Sequence, residues 1–361
     1  MDDEVHMSCR WNLTLYKSWT EVDDPAFIAR WQEWMDCSPD AHVFFHPALV
    51  KAWTDTYRKV RDISPMYCVA EADGVVVFLP LVLWKRNWKN AFLRMLVPAG
   101  YSDYDYHDPI VTATVTKEFM GSFWQMLEER LYKVEAKHYD RLEIIGIRGH
   151  EISDGYWQKS SEQSFYNVLT GYSSYTEFIS GIPKSLRQDI GRRKRRLAEE
   201  GALFYKVHST DETQNALLEL DAMLEAHRKR RPLSYKASGF HHALMKNGLP
   251  SNLIHFSVLT LNGKAISWRL GFQYKKHFYS YMPAFLNKFS RFSPSKVHLA
   301  YTIEDAFKSG IRIFDHLRGA HGYKNEWMTQ SLDLYSYSFD SNKTMSILRL
   351  QMAGYLRKMK A

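Results

Sequence analysis

The sequence predicts a mixed α/β protein built from two tandem copies of one unit. Three observations carry this. First, HFYSYMPAF (277–285) alternates aromatic residues with the period of a strand, and the apolar run IRIFDHL (311–317) reads as a second strand after an intervening helix. Second, the two-residue hairpin signals Asp73-Gly74 and Asn262-Gly263 lie 189 residues apart, each between apolar strands. Third, the strands expected at 141–147 and 311–317 lie 170 residues apart, so each half reads helices, hairpin, strand, helix, strand. A chain of 361 residues accommodates this as two domains, 1–171 and 172–361, joined near Gly171 in the polar stretch 148–176.

In the first half, residues 10–16 open as a strand. PAFIARWQEWMDC (25–37) has helical spacing of Phe27, Ile28, Trp31, Trp34 and Met35, and HPALVKAWTDTYRK (46–59) is a second helix started by Pro47. Residues 65–84 form the first hairpin, 91–100 a strand, 116–134 a helix and 141–147 a strand. Between them runs an acidic, tyrosine-rich loop, YSDYDYHDP (101–109). In the second half a basic helix precedes a strand within 197–209. Helices follow at 213–230 and 239–248, and the second hairpin spans 253–274. Ser293-Pro294 opens the next helix, with Ser293 as N-cap and Pro294 at its first position, and Gly310 ends it in a left-handed cap. The tail 343–360 is a basic amphipathic helix whose stripe of Leu348, Met352, Tyr355, Leu356 and Met359 is expected to pack on the second domain rather than on a membrane.

Lys and Arg number 48 against 40 Asp and Glu, a net charge of +8, which favours acidic partners without choosing among cofactor phosphates, glycans, RNA and membrane headgroups. The three cysteines, Cys9, Cys37 and Cys68, form no metal or disulfide pattern, and a reducing cytoplasm is the simplest home. The start MDDEVHMSCR has no apolar run of a signal peptide, and VVVFLPLVLW (75–84) is too short to span a bilayer. The expected location is cytoplasmic, at most peripheral to the inner membrane. The loop 101–109 matches no zinc or EF-hand spacing, so no metal is expected. The cations of helix 184–200 form either a solvated face or a surface for RNA phosphates or a polyanionic glycan.

A strand feeding a helix start makes an anion seat, because unbonded N–H groups and the helix dipole point at the loop. At 286–296 that loop carries Lys288, Arg291 and Lys296, and the next strand brings Asp315, Arg318, Tyr323 and Lys324 beside it. A pyrophosphate would suit this arrangement.

Several patterns in the second half resemble one family. They are the basic helix SLRQDIGRRKRRLAEEGA (185–202), LEAHRKRR (224–231), LNGKAISWRLGF (261–272) and the long stretch 279–327 with its Ser-Pro, Phe-Asp, Arg-Gly and Tyr-Lys steps. Together they resemble the BioF2-like acetyltransferases, also called the CelD (BcsL) family, of the GNAT superfamily. The first half resembles the more divergent N-terminal half of the same proteins. The architecture is also similar to the FemABX aminoacyltransferases, which use aminoacyl-tRNA to modify peptidoglycan precursors. Two positions depart from the pattern: Ser295 stands where a glycine is usual after Ser-Pro, and Pro232 where an aromatic is usual.

The resemblance implies two tandem GNAT-like domains and N-acyl transfer from acetyl-CoA or another acyl-CoA to an amine, with an amino sugar of a surface polysaccharide as acceptor. It also implies an association with membrane polysaccharide machinery. Nucleic acid enters only as tRNA, in the FemABX-like alternative. A degenerate GNAT pair acting as a binding module is the third reading. Acyl transfer needs a proton acceptor, a proton donor for the leaving thiolate and polar groups to orient both substrates. The candidates are His227 and Asp315 for the proton, Tyr281 and Tyr323 for the thiolate, and Ser293, Ser295, Lys296 and Arg291 for the donor's phosphates. Arg318, Lys324, Asp103, Tyr104, Asp105 and Trp327 are the candidates for the acceptor. His227 also reads as a helical histidine on a solvated face, and Asp315 as a strand-end turn residue.

Overall fold

The structure is a computed structural model and describes residues 10–101, 103–135, 138–148, 157–232, 236–319 and 322–359. In chain order the first elements are β1 (Asn12–Tyr16), α1 (Trp19–Val22), α2 (Pro25–Cys37), α3 (Pro47–Tyr57), β2 (Asp62–Ala72), β3 (Val75–Lys85), β4 (Arg94–Pro98), β5 (Ile110–Val111), α4 (Lys117–Arg130) and β6 (Arg141–Arg148). Next come β7 (Trp157–Val168), α5 (Tyr175–Gly181), α6 (Lys184–Glu200), β8 (Leu203–Val207), α7 (Thr213–Arg230), α8 (Phe240–Gly248), β9 (Ile254–Leu261), β10 (Lys264–Tyr274) and β11 (His277–Phe285). The chain closes with α9 (Pro294–Lys308), β12 (Ile313–Arg318), α10 (Gly322–Glu326), β13 (Gln330–Asp340) and α11 (Thr344–Lys358).

The chain divides into two compact units, one reaching Ser160 and resuming at Tyr335, the other Ser161–Leu334. The join thus falls within β7 rather than near Gly171. β7 and β13 carry only weak strand signals. Few large apolar residues mark WQKSSEQSFYNV, and neither strand has a hairpin turn beside it.

In the first unit β1, β2, β3 and β4 are antiparallel neighbours, and β4 pairs with β6 in parallel through Met95 and Arg141. α2 starts where sequence predicts, because Asp24 accepts from Ala26 N–H and Phe27 N–H and Pro25 needs no donor. Its buried face, Phe27, Trp31 and Met35, meets Tyr67 and Phe78 edge-on. α11 belongs here and not to the second unit. Ser346 Oγ donates to Asp140 Oδ1 at 2.7 Å and Arg349 Nη1 to the same oxygen at 3.2 Å, and that carboxylate is fully buried. A buried carboxylate requires such partners.

In the second unit the strand order is β7-β12-β11-β10-β9-β8. β11 and β12 are parallel and the other neighbours antiparallel. One core joins Phe278, stacked on Phe314 at 4.7 Å, to Leu299, Ile303 and Trp327. α6 buries only Leu186, Ile190 and Leu197, which leaves Arg192, Lys194, Arg195 and Arg196 exposed. Gly310 follows α9 with φ 66°, the left-handed cap anticipated from sequence. The opening of α9 differs from expectation: Ser293 has φ 46° and its side chain makes no cap bond, because a 3-10 turn over Asn287–Phe292 delivers the chain in a left-handed kink.

Candidate active site

The site is built where two parallel strands part. β11 pairs with β12 over three positions only, His277 with Ile313, Phe278 with Phe314 and Tyr279 with Asp315. β11 then runs on to Phe285 along β10, and its register there slips so that Ser280 and Tyr281 face the single residue Gly271. This is a β-bulge, which leaves backbone outside the regular ladder and re-aims side chains. A Cβ on Gly271 would stand 2.6 Å from Phe278 Cζ and 2.9 Å from the Tyr279 carbonyl oxygen, so only glycine lets β10 approach so closely.

β12 kinks on its own side of the gap. Its register against β7 slips between Asp315 and Arg318, and Leu317 adopts φ 61°. Asp315 Oδ1 accepts from Leu317 N–H at 2.6 Å and from Ser164 Oγ at 3.4 Å. Lys324 Nζ donates to the carbonyls of Leu317 at 2.7 Å and Arg318 at 2.9 Å. Asp315 and Lys324 are both buried and both serve the backbone of the kink. That is a different duty from the proton acceptor and phosphate ligand anticipated for them. Arg318 Nε lies 3.8 Å from Glu162, with the arginine side chain partly exposed.

Beside the bulge sits a cation that sequence reasoning did not single out. Arg269, on β10, is 3% exposed. Its Nη1 donates to Ser280 Oγ at 2.7 Å, its Nε is buried without a partner, and no carboxylate pairs with it among the described residues. Burial draws its pKa down, and the phenols of Tyr323 and Tyr205 are its opposing ionisable neighbours. Two neutral histidines complete the surroundings. His298 is held between Ser257 Oγ at 2.9 Å and Ser267 Oγ at 3.0 Å, and burial places its pKa well below the ordinary value. His316 bonds Asn167 Oδ1 at 2.9 Å, and burial pushes it down to about 3. The signal in the sequence was a lone arginine inside the apolar strand ISWRLGF.

α7 brings His227 to β11, where it hydrogen-bonds the backbone of Pro283. Burial lowers its pKa, and Arg231, Arg230 and Lys236 lower it further, so the ring is neutral near pH 7. His241 on α8 is buried, pushed down to about 3, and its ring lies 6.5 Å from that of Tyr281. Tyr281 and Tyr323 are half-buried, and burial raises the Tyr323 phenol. The structure therefore gathers His227 and Tyr281 on one part of the gap and Arg269, Ser280 and Tyr323 on another.

The other candidates are placed differently. Lys296 Nζ is held by Glu326 at 2.8 Å and Asp189 at 3.3 Å, and Arg291 by Glu200 at 3.1 Å. Asp189 also binds Arg192 and Arg193, and despite the cost of desolvation these cations hold it at about 2. The anticipated pyrophosphate seat beside Ser293 and Ser295 thus carries two carboxylates on its lysine. Trp327 is fully buried in the core rather than turned to a ligand. Asp103, Tyr104 and Asp105 belong to the first unit. Asp103 accepts from Trp53 Nε1 at 2.7 Å and the Tyr104 hydroxyl donates to the Leu49 carbonyl at 2.7 Å, both buried. Polar side chains in a core need such partners, so these two knit the first unit. Among the described residues no group of three or more His, Cys, Asp or Glu is placed to hold a metal ion.

Comparison with known proteins places this geometry. Residues 184–325 match the family described as acetyltransferase (GNAT) domain. No curated protein matches the chain. Among solved structures, FemX aligns with TM-score 0.57 at 9% identity, over 85% of this chain and 95% of that one. The L-PGS structure from Bacillus licheniformis aligns with TM-score 0.55 at 11% identity, over 93% and 97%. A tandem GNAT protein from the clavulanic acid biosynthesis pathway aligns with TM-score 0.51 at 9% identity, over 93% and 100%. At such identities the likeness is one of fold. The chain has a mixed α/β fold of GNAT type, and its acetyltransferase-like stretch contains β10, β11, α9 and β12, the elements that form the gap.

Proposed function

We propose that the chain is an N-acyltransferase that moves an acyl group, acetyl in the simplest case, from acyl-CoA to an amine, with an amino sugar of a surface polysaccharide as acceptor. The observation that carries the reading is the parting of β11 and β12 beyond Tyr279 and Asp315, with the bulge at Ser280 and Tyr281, inside the GNAT-matching stretch. Backbone released from a ladder must find other partners, and an extended acyl donor lying along β11 would supply them.

The chemistry divides among this chain's residues as follows. The acceptor nitrogen attacks the thioester carbonyl carbon, a C–N bond forms and the C–S bond breaks. His227, neutral and half-buried, takes the proton that the amine nitrogen loses. Tyr281 or Tyr323 returns a proton to the departing thiolate. Arg269 and Ser280 hold the negative charge of one substrate in a low-dielectric setting, where a fixed donor is worth more than in water. Asp315 and Lys324 act by shaping the end of β12. The choice of acceptor rests on the family resemblance, since Asp103 and Tyr104 are spent within the first unit.

The start of α9 does not fit a pyrophosphate as it stands, because Asp189 and Glu326 hold Lys296. The same observation favours a second reading, in which the donor is an aminoacyl-tRNA and the exposed cations of α6 meet its phosphates.

Calorimetric titration with acetyl-CoA separates the two. Saturable binding, with thiol release in the presence of amino-sugar nucleotides, is the expected result. Folded protein that ignores about millimolar acetyl-CoA, a ligand level at which even weak sites of about −4 kcal/mol fill, yet binds charged tRNA in a salt-dependent way overturns acyl-CoA as donor. Silence toward both donors turns the reading to a binding module.

A further inference from the structure

One feature of the tail serves neither the site nor the core. α11 turns its small residues inward, with Ser346 and Ala353 buried. Met345, Leu348, Met352, Tyr355 and Met359 recur at spacings of three and four, which is one helical stripe, and they are 59%, 49%, 59%, 65% and 68% exposed. The sequence suggested that most of this stripe packs against protein. It points to solvent, because the contacts that seat α11 come from Ser346 and Arg349 on the other side. α11 also packs on the turn Trp88–Asn90, where Trp88 and Phe92 are 62% and 63% exposed. Seven large apolar side chains thus stand in solvent on two abutting elements of the first unit.

Charge indicates what covers them. Residues 85–94 and 343–359 contain Lys85, Arg86, Lys89, Arg94, Lys343, Arg349, Arg357 and Lys358 and not one Asp or Glu. Arg94 and Arg349 meet the buried Asp140, and Lys85 meets Asp62. Arg86 is crowded by its like-charged neighbours Arg61 and Arg357. A protein partner for an apolar stripe needs no such one-sided charge. A sheet of anionic headgroups over an apolar interior matches both properties, and Trp and Tyr suit the boundary between them. No helix among the described residues is long and apolar enough to cross a membrane, so the helix would lie on the surface.

We propose that α11 and the 85–94 turn dock this protein on the surface of an anionic phospholipid bilayer. Cations draw the face to the headgroups and the stripe of Met345, Leu348, Met352, Tyr355 and Met359 enters the acyl boundary. This docking face shares no residue with the candidate transfer site.

The test uses the full chain and vesicles of phosphatidylcholine, alone or with about one-third phosphatidylglycerol, an anionic fraction that gives a surface potential of the physiological order. Sedimentation with the anionic vesicles and little with the neutral ones is expected, with Trp88 fluorescence shifted to the blue. Binding should fall about tenfold or more between low salt and roughly 0.5 M salt, where screening lengths drop below about 5 Å. The double variant Met352→Glu/Tyr355→Glu, altered only at exposed positions, should keep the wild-type Tm and lose vesicle binding by at least about tenfold, as two charges displace apolar contacts. Absence of wild-type binding, equal binding to neutral vesicles, or binding untouched by the double variant would each overturn the proposal. So would a salt-insensitive dimer in sedimentation equilibrium that the double variant dissolves, because the stripe would then be covered by a second copy.

Discussion

Replacing Arg269 with Met tests whether the buried cation serves a substrate or the fold. The guanidinium is 3% exposed and has one hydrogen bond, to Ser280 Oγ at 2.7 Å. Taking such a charge out of water costs several kcal/mol, and among the described residues no carboxylate offsets it. Methionine has similar reach and no charge. The variant loses one hydrogen bond and leaves Ser280 Oγ short of a donor, a loss of about 1–3 kcal/mol. The relieved desolvation is of the same size or larger, so net stability should stay level or rise by up to about 2 kcal/mol. For a protein of this size that is a Tm unchanged or raised by up to roughly 3 °C. Turnover should move the other way. A hydrogen bond to a charged group is worth about 1.5–3 kcal/mol, so kcat/KM should drop about 10- to 150-fold. Differential scanning fluorimetry and a thiol-release assay read the two effects, and Arg269→Lys should recover part of the activity. A Tm lowered by about 10 °C or more would mean that Arg269 is an internal structural partner. Full activity in a folded variant would mean that no substrate charge meets it.

Three further outcomes follow from the histidines. His227→Ala should lower kcat by about two to four orders of magnitude with Tm little changed, because the ring is only half-buried. Since burial and Arg231 depress the His227 pKa, the acid limb of the wild-type rate profile should lie below the ordinary histidine value near 6.5, and a limb at or above 6.5 would remove His227 as the base. The fold itself should be acid-sensitive. His42, His241 and His316 are pushed down to about 3 by burial, so each gains a proton on unfolding once the pH passes below its ordinary value. Stability is then full above about 7 and is lost as pH falls toward about 3, by about 2 kcal/mol per histidine at roughly pH 5. Thermal melts across this range check it, and a Tm flat from neutrality to pH 5 would contradict the burial of these rings.

Local chemistry made much of the chain legible. The helices at 25–37 and 213–230, the strand at 277–285 and both hairpins sit where apolar period, caps and Asx-Gly turns put them, because each is decided by neighbours within a few residues. The repeated order of elements was legible for the same reason. What each side chain does was not. Lys296 reads as a phosphate ligand until α6 brings Asp189 to it from 107 residues away. Asp103 reads as a substrate ligand until Trp53 claims it from 50 residues away. Arg269 reads as one more cation until the fold buries it against Ser280 with no carboxylate partner among the described residues. The tail reads as a helix packed on the second domain until Asp140, 206 residues from Ser346, fixes its inner face and sends the apolar stripe outward. Sequence determines which segments become strands and helices because those choices turn on local backbone and side-chain preferences. Which polar groups are spent on one another and which remain for a substrate depends on burial and on partners distant in the chain, and only the tertiary structure decides that.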